Sequence, residues 1–203
     1  MNSNIYLAHT RYKTNSVFNS FQPFHLKNDK FNMIFCHNGN IINTAQILQL
    51  LNENFNIQFK ETPSDSFILF QLIFSYISVN VRNEIDTNLI VNLSRYLHCC
   101  IVGSFSIILG IENYGIIVMK DRFGIRPLIY GKNENSDILI SSESCSINNI
   151  LNYKIKTDVK PGETIVFLGN KESFSFQYND SVLAPCLFEY IYFSRLDSIF
   201  NNI

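Results

Sequence analysis

The sequence predicts a layered α+β fold, two packed antiparallel sheets with helices on the outside, and three observations predict it. Segments that read as strands come first, helical segments follow, and strands return, with no regular alternation of single strands and helices. Hydrophobic residues make up 46% of the chain and aromatics 14%, led by 18 Phe and 10 Tyr, which suits a β-rich interior. At 203 residues the chain fits one domain with a sizeable core, because single cores stop growing at roughly 250 residues.

Residues 5–8 and 31–36 are short runs of β-branched and aromatic residues. Each is expected to be a strand that delivers a polar loop at its C-terminal end, His9-Thr10-Arg11-Tyr12 after the first and His37-Asn38-Gly39-Asn40 after the second. Residues 44–51 and 64–79 carry apolar side chains at helical spacing, and the second run opens on Ser64-Asp65, a reasonable N-cap. Residues 86–100 form a third helical candidate. Beyond Val102-Gly103 the pattern changes to alternation. Residues 104–111 and 115–120 read as a hairpin turning at Glu112-Asn113-Tyr114, and strands continue at 128–130, 138–141, 164–168 and 174–177, with a turn at Pro161-Gly162.

Charge excludes some classes of partner. Lys and Arg number 16 against 17 Asp and Glu, a net charge of -1, so no global field attracts nucleic acid or an anionic membrane. The five cysteines, Cys36, Cys99, Cys100, Cys145 and Cys186, are odd in number and follow no C-x-x-C spacing. That argues against a disulfide framework and a zinc site, and makes a reducing cytosol the default. Cys36, Cys99, Cys100 and Cys145 are best read as core, buried apolar cysteine being the usual case. Met1 leads into no basic and apolar signal, and no apolar run approaches the roughly 18 residues of a membrane span, so a soluble, cytoplasmic protein is expected.

Four residues form a chemically suggestive set: Arg11, Asn38, Gly39 and Asp65. An amino acid with a side-chain amide, such as glutamine, presents an α-carboxylate, an α-ammonium and a carbonyl that becomes an oxyanion on attack. An arginine fork meets the first, an aspartate the second, and an Asn carboxamide with a Gly N–H the third. Taken singly, each residue has a plainer reading. Asn-Gly is commonly a hairpin turn, Asp65 after Ser64 a helix start, and Arg11 a solvated charge.

Set in order, His9-Thr10-Arg11-Tyr12, Gln22-Pro23-Phe24, His37-Asn38-Gly39-Asn40, Ser64-Asp65, Gly103-Ser104-Phe105-Ser106, the run from Asp121-Arg122-Phe123-Gly124 to Ile125-Arg126-Pro127-Leu128, Ser142-Glu143-Ser144-Cys145 and Pro161-Gly162-Glu163 resemble the class II glutamine amidotransferase domain of the amidophosphoribosyltransferases. The closing run from Cys186 to Ser198 looks like that family's handover to a phosphoribosyltransferase domain, with Ser194 where Ala is usual and Leu196 where Pro is usual. The related enzymes that make glucosamine phosphate typically carry Arg-Trp where this chain has Arg11-Tyr12, and this chain has no Trp.

The resemblance implies an αββα four-layer sandwich of the N-terminal-nucleophile hydrolase type. It implies glutamine as substrate, held by Arg11 at the carboxylate and Asp65 at the amino group, with Asn38 and Gly39 as the oxyanion hole, and nitrogen passed to phosphoribosyl pyrophosphate in the first committed step of purine biosynthesis. It divides the chain into a partial glutaminase domain over residues 1–185 and the start of the handover over 186–203. The family's nucleophile is an N-terminal cysteine whose own amine acts as base. Because this sequence opens Met1-Asn2, the expectation is a chain lacking its first strands, the catalytic cysteine and the transferase half, inactive alone and marginal as a monomer, with residues 5–8 as an exposed sheet edge. A non-catalytic glutamine-binding module, or a subunit completing a split enzyme with residues 188–193 at the seam, is the alternative, although the plainer reading of that apolar run is core. Mg, an iron–sulfur cluster with a ligand at the Cys186 position, and homo-oligomerisation belong to full-length members. No cofactor is expected in this chain, since a lone cysteine cannot hold a cluster.

Overall fold

The computed structural model describes residues 5–10, 21–150, 152–169 and 171–200. Along the chain run β1 (Phe24–Lys27), β2 (Asn32–Ile41), α1 (Thr44–Phe55), α2 (Asp65–Asn80), α3 (Thr87–Cys100), β3 (Gly103–Ile111), β4 (Gly115–Lys120), β5 (Ile129–Lys132), β6 (Ile138–Ser141), α4 (Ser144–Asn148), β7 (Lys154–Asp158), β8 (Glu163–Leu168) and β9 (Lys171–Gln177), then a π-helical turn at Glu189–Phe193. Among the described residues, one sheet has the order β1-β2-β3-β4-β8-β9 and a second has the order β6-β5-β7.

Strand alternation sorts the side chains into two cores. From the larger sheet Phe35, Phe105, Ile107, Leu109, Ile117 and Met119 point toward the helices and meet Ile68, Leu72, Leu93 and Leu97. The opposite face of the same strands offers Val118, Ile165 and Phe167, which pack against Leu128, Tyr130 and Val159 of the smaller sheet and its flanks. α2 buries side chains all round, Ile68, Leu69, Phe70, Leu72, Ile73 and Ile77 among them, because it lies between α1, α3 and β2. The short α4 packs on the smaller sheet. Helices, large sheet, small sheet and α4 therefore make four layers, in agreement with the αββα expectation.

Local signals set the boundaries. Ser64 Oγ accepts from Phe67 N at 3.3 Å and starts α2, and Asp86 Oδ1 accepts from Leu89 N at 2.7 Å and starts α3. The β3–β4 hairpin turns where expected, with Asn113 at φ 60°. The second sheet is a side excursion from the first: its chain leaves after Asp121 and returns at Gly162, whose N–H donates to the Asp121 carbonyl at 2.8 Å.

Four expectations are corrected. Residues 5–8 form no strand: residues 5–10 run as irregular chain over β2 and β3, where the Cys36 thiol donates to Ala8 O at 3.8 Å. The edges of the larger sheet, among the described residues, are β1 and β9. Cys36 and Cys145 are buried as expected, but at the end of α3 Cys99 is exposed and Cys100 only half-buried. The apolar run at 188–193 is not core, since Phe188 is 68%, Ile191 73% and Tyr192 75% exposed. In that turn it is Glu189 that points inward, drawn by Arg126, with Tyr190 half-buried against Phe200, and Phe188, Ile191 and Tyr192 are left facing out.

The C-terminal segment is nonetheless attached along its length. Val182, Ala184 and Cys186 donate main-chain N–H groups to the carbonyls of Arg122, Phe123 and Ile125 at 2.9, 2.7 and 3.1 Å. Further on, Arg195 N and Ser198 Oγ donate to Glu143 at 3.1 and 2.9 Å, and Phe200 is buried.

Candidate functional site

The run His37-Asn38-Gly39-Asn40, expected in a loop, lies inside β2. It pairs with β3 in the register His37 to Ile107, Asn38 to Ser106, Gly39 to Phe105 and Asn40 to Ser104. The hairpin reading of Asn38-Gly39 is thereby overturned, because both residues are in mid-ladder. Gly39 is demanded here by close approach: a Cβ would lie 2.1 Å from Ser104 O and 2.4 Å from His37 Nε2.

Asp65 reaches the same place from the helix side. As the first residue of α2, its carboxylate accepts from Ile41 N at 3.0 Å and from its neighbour Ser66 N at 2.8 Å. A negative charge at a helix N-terminus is favourable in its own right, so Asp65 is at once a helix start and a tether onto β2. The structure thus brings Asn38, Gly39 and Asp65 together. Arg11 lies outside the described residues, as do Met1 and Asn2.

Behind them stands a buried network that the motifs alone do not reveal. His37 Nδ1 is 2.9 Å from Ser66 Oγ, and Nε2 is 3.4 Å from Ser104 O. A neutral ring with its proton on Nε2 fits both contacts, donating to the carbonyl and accepting from the hydroxyl. The carboxamide of Gln22 brackets the main chain of His37 like one more rung of sheet, its Oε1 accepting from His37 N at 2.6 Å and its Nε2 donating to His37 O at 3.1 Å. These contacts join residues far apart along the chain, so no local pattern announces them; they form only once β2, β3 and α2 are packed.

Burial pushes the His37 imidazole from its ordinary 6.5 down to about 4, against the pull of the Asp65 charge. Burial also lowers His98, whose ring is 2.8 Å from Ser94 O. The unfolded chain takes up these protons near pH 6.5 while the folded chain refuses them, so stability is full above that pH and is lost as pH falls toward 4. For His37 alone the loss is about 3 kcal/mol, at roughly 1.4 kcal/mol per unit of pKa. Urea unfolding midpoints should therefore drop steadily between pH 7 and pH 4.5, and a His37→Gln variant should flatten that slope.

The Cys36 thiol, on the strand feeding the site, is pushed up to about 12 by burial, which keeps it protonated and inert. Among the described residues no cluster of three His, Cys, Asp or Glu side chains is placed to hold a metal ion. Cys186 is half-buried beside the 122–125 loop, where its N–H bonds Ile125 O.

Four layers of this order are those expected of an N-terminal-nucleophile hydrolase fold, and similarity to known proteins supplies the class, a glutamine amidotransferase domain. The family model described as a glutamine amidotransferase domain matches residues 9–149, from the irregular N-terminal segment to the end of α4. The chain belongs to that family, and the relatives that it matches along its whole length are amidophosphoribosyltransferases. It is 29% identical over 209 residues to the amidophosphoribosyltransferase of Pasteurella multocida and 30% identical over 210 residues to that of Escherichia coli, covering 100% of this chain and 41% of each relative. The solved glutamine phosphoribosylpyrophosphate amidotransferase from B. subtilis, complexed with ADP and GMP, superimposes with a TM-score of 0.77 at 28% identity, over 96% of this chain and 40% of that one. The chain thus spans about two fifths of the length of the curated relatives it matches.

Proposed function

We propose that the C-terminal half of β2 and the N-terminus of α2 form a glutamine site. In it Asp65 receives the α-ammonium, Arg11 the α-carboxylate, and the Asn38 carboxamide with the Gly39 N–H the side-chain carbonyl. The observation that carries the proposal is the hydrogen bond from Ile41 N to Asp65 at 3.0 Å, which pins the candidate ammonium acceptor two residues beyond the candidate oxyanion donors. The chemistry suits hydrolysis of the amide. Charge builds on the carbonyl oxygen during attack, and donors already fixed in a strand need no reorganisation to meet it. One such donor is worth about 3–4 kcal/mol of barrier in comparable sites.

By the names of its relatives, the whole protein would pass the released nitrogen to phosphoribosyl pyrophosphate, in purine biosynthesis. A phosphoribosyltransferase partner would sit against the exposed apolar residues of the C-terminal turn, and its co-purification with this chain tests that part.

Calorimetry tests the site. Glutamine should bind the unaltered chain, and Asp65→Asn should weaken binding at least tenfold by removing the charge that meets the ammonium. Equal affinity in the two proteins would overturn the assignment of Asp65. An ammonia assay run alongside separates hydrolysis from recognition without turnover.

A further inference from the structure

On the glutamine-site reading, a second basic residue stands on a loop bonded to the strand pair that carries Asn38. We propose that Arg126 is a positioning residue for Asn38 and Gly39, held in place by Glu189 of the C-terminal π-helical turn. Three observations converge on it.

The first is mechanical. The Arg126 carbonyl accepts a hydrogen bond from Ser106 Oγ at 2.9 Å, and Ser106 stands directly opposite Asn38 in the β2–β3 ladder. Directly opposed residues of an antiparallel pair put their side chains on the same face. The loop bearing Arg126 is therefore hooked to the residue that neighbours the Asn38 carboxamide.

The second concerns the guanidinium. One of its terminal nitrogens pairs with the buried carboxylate of Glu189, its Cζ lies 5.8 Å from the centroid of the Phe193 ring, and its buried Nε has no acceptor among the described residues. Both partners come from one five-residue turn, Glu189–Phe193. A buried pair of this kind fixes geometry more than it stabilises, since removing one member strands the other charge.

The third is electrostatic. Burial is the main reason the His37 imidazole resists protonation, and the Arg126 charge adds to it as the smallest of the influences on that ring. The same charge has the sign that would favour an oxyanion at the adjoining Asn38-Gly39. How much of its field is felt there depends on how firmly Glu189 neutralises it.

The test is a set of ¹H–¹⁵N spectra and glutamine titrations on the full chain. Glu189→Gln is expected to move the Gly39 main-chain and Asn38 side-chain amide signals and to weaken glutamine binding about fivefold. Glu189→Asp, which keeps the charge, should restore both. Asp197→Asn, which breaks the exposed pair with Arg195 on the same segment, should leave both unchanged. If Glu189→Gln does not fold, Arg126→Lys is read in its place. Signals that move only within residues 122–130 and 187–194, with Asn38 and Gly39 still, would overturn the proposal. The glutamine reading fails separately, by absence of binding to the unaltered chain, and the spectra then decide the Arg126 linkage on their own.

Discussion

Replacement of Asp121 by Ala should remove about 3–5 kcal/mol of stability, a large share of the total of order 5–15 kcal/mol typical of a domain. Asp121 is 2% exposed, and its carboxylate accepts main-chain N–H bonds from Phe105 at 3.2 Å, Phe123 at 2.9 Å and Ile125 at 3.3 Å. Burial raises its pKa, while those N–H groups and the neighbouring Lys120 oppose the shift. Removing the side chain strands three donors in the interior and leaves Lys120, whose Nζ donates to Val159 O at 3.1 Å, buried with one opposite charge fewer. Asp121→Asn keeps one acceptor oxygen and should cost roughly half as much. Urea unfolding followed by circular dichroism measures both, and a midpoint for Asp121→Ala close to that of the unaltered chain would show that the loop holds without its carboxylate.

The second large effect is expected at Gly39. A methyl group there meets Ser104 O at 2.1 Å and His37 Nε2 at 2.4 Å, and the first of these contacts is with main chain that cannot swing aside. Either β2 and β3 separate or the imidazole is expelled from its pocket, at a cost of about 3 kcal/mol or more. Glutamine binding should be lost along with the geometry of the Asn38-Gly39 pair. Gly169 supplies the contrast. Its added methyl group would meet nothing within 4 Å, and only its φ of 61° resists substitution, so Gly169→Ala should cost about 1–2 kcal/mol and leave glutamine affinity alone. Paired unfolding and titration experiments on the two variants test the prediction, which would not survive equal affinities for glutamine.

What the sequence makes legible is what neighbours along the chain decide. α2 could be read from its Ser64 cap and its apolar spacing, and the β3–β4 hairpin from alternation around Asn113. Both are local effects of torsion preference and side-chain period. Asn38-Gly39 defeats that kind of reading, because the dipeptide's local preference is a turn, and its place in a strand is imposed by β3, with Asn40 bonded to a residue 64 positions away. β1, β7 and α4 are too short to show a period, and the polar run of β7, Lys-Ile-Lys-Thr-Asp, has only one apolar residue to offer. The candidate site divides in the same way. Asn38, Gly39 and Asp65 were recognisable as residue types and as motifs, whereas His37, Gln22, Ser66 and Ser104 acquire their contacts only when β2, β3 and α2 meet. The turn at Glu189–Phe193 shows the converse, an apolar stretch that points outward because its one acidic residue has the stronger claim on the interior.

The junction between Asp121 and Gly162 has a topological corollary. Everything between those two residues is a detour whose two ends meet at the main sheet and whose Arg126 and Val159 carbonyls are tied back to it by Ser106 and Lys120, so lengthening a loop at its far side, away from those ties, perturbs the pairing of β4 with β8 little. The closure entropy of such a loop rises only logarithmically with its length, about 0.6 kcal/mol per doubling. The outer layer is accordingly the part of this architecture most free to be remodelled, while the inner sheet, which carries Asn38 and Gly39, keeps its alignment.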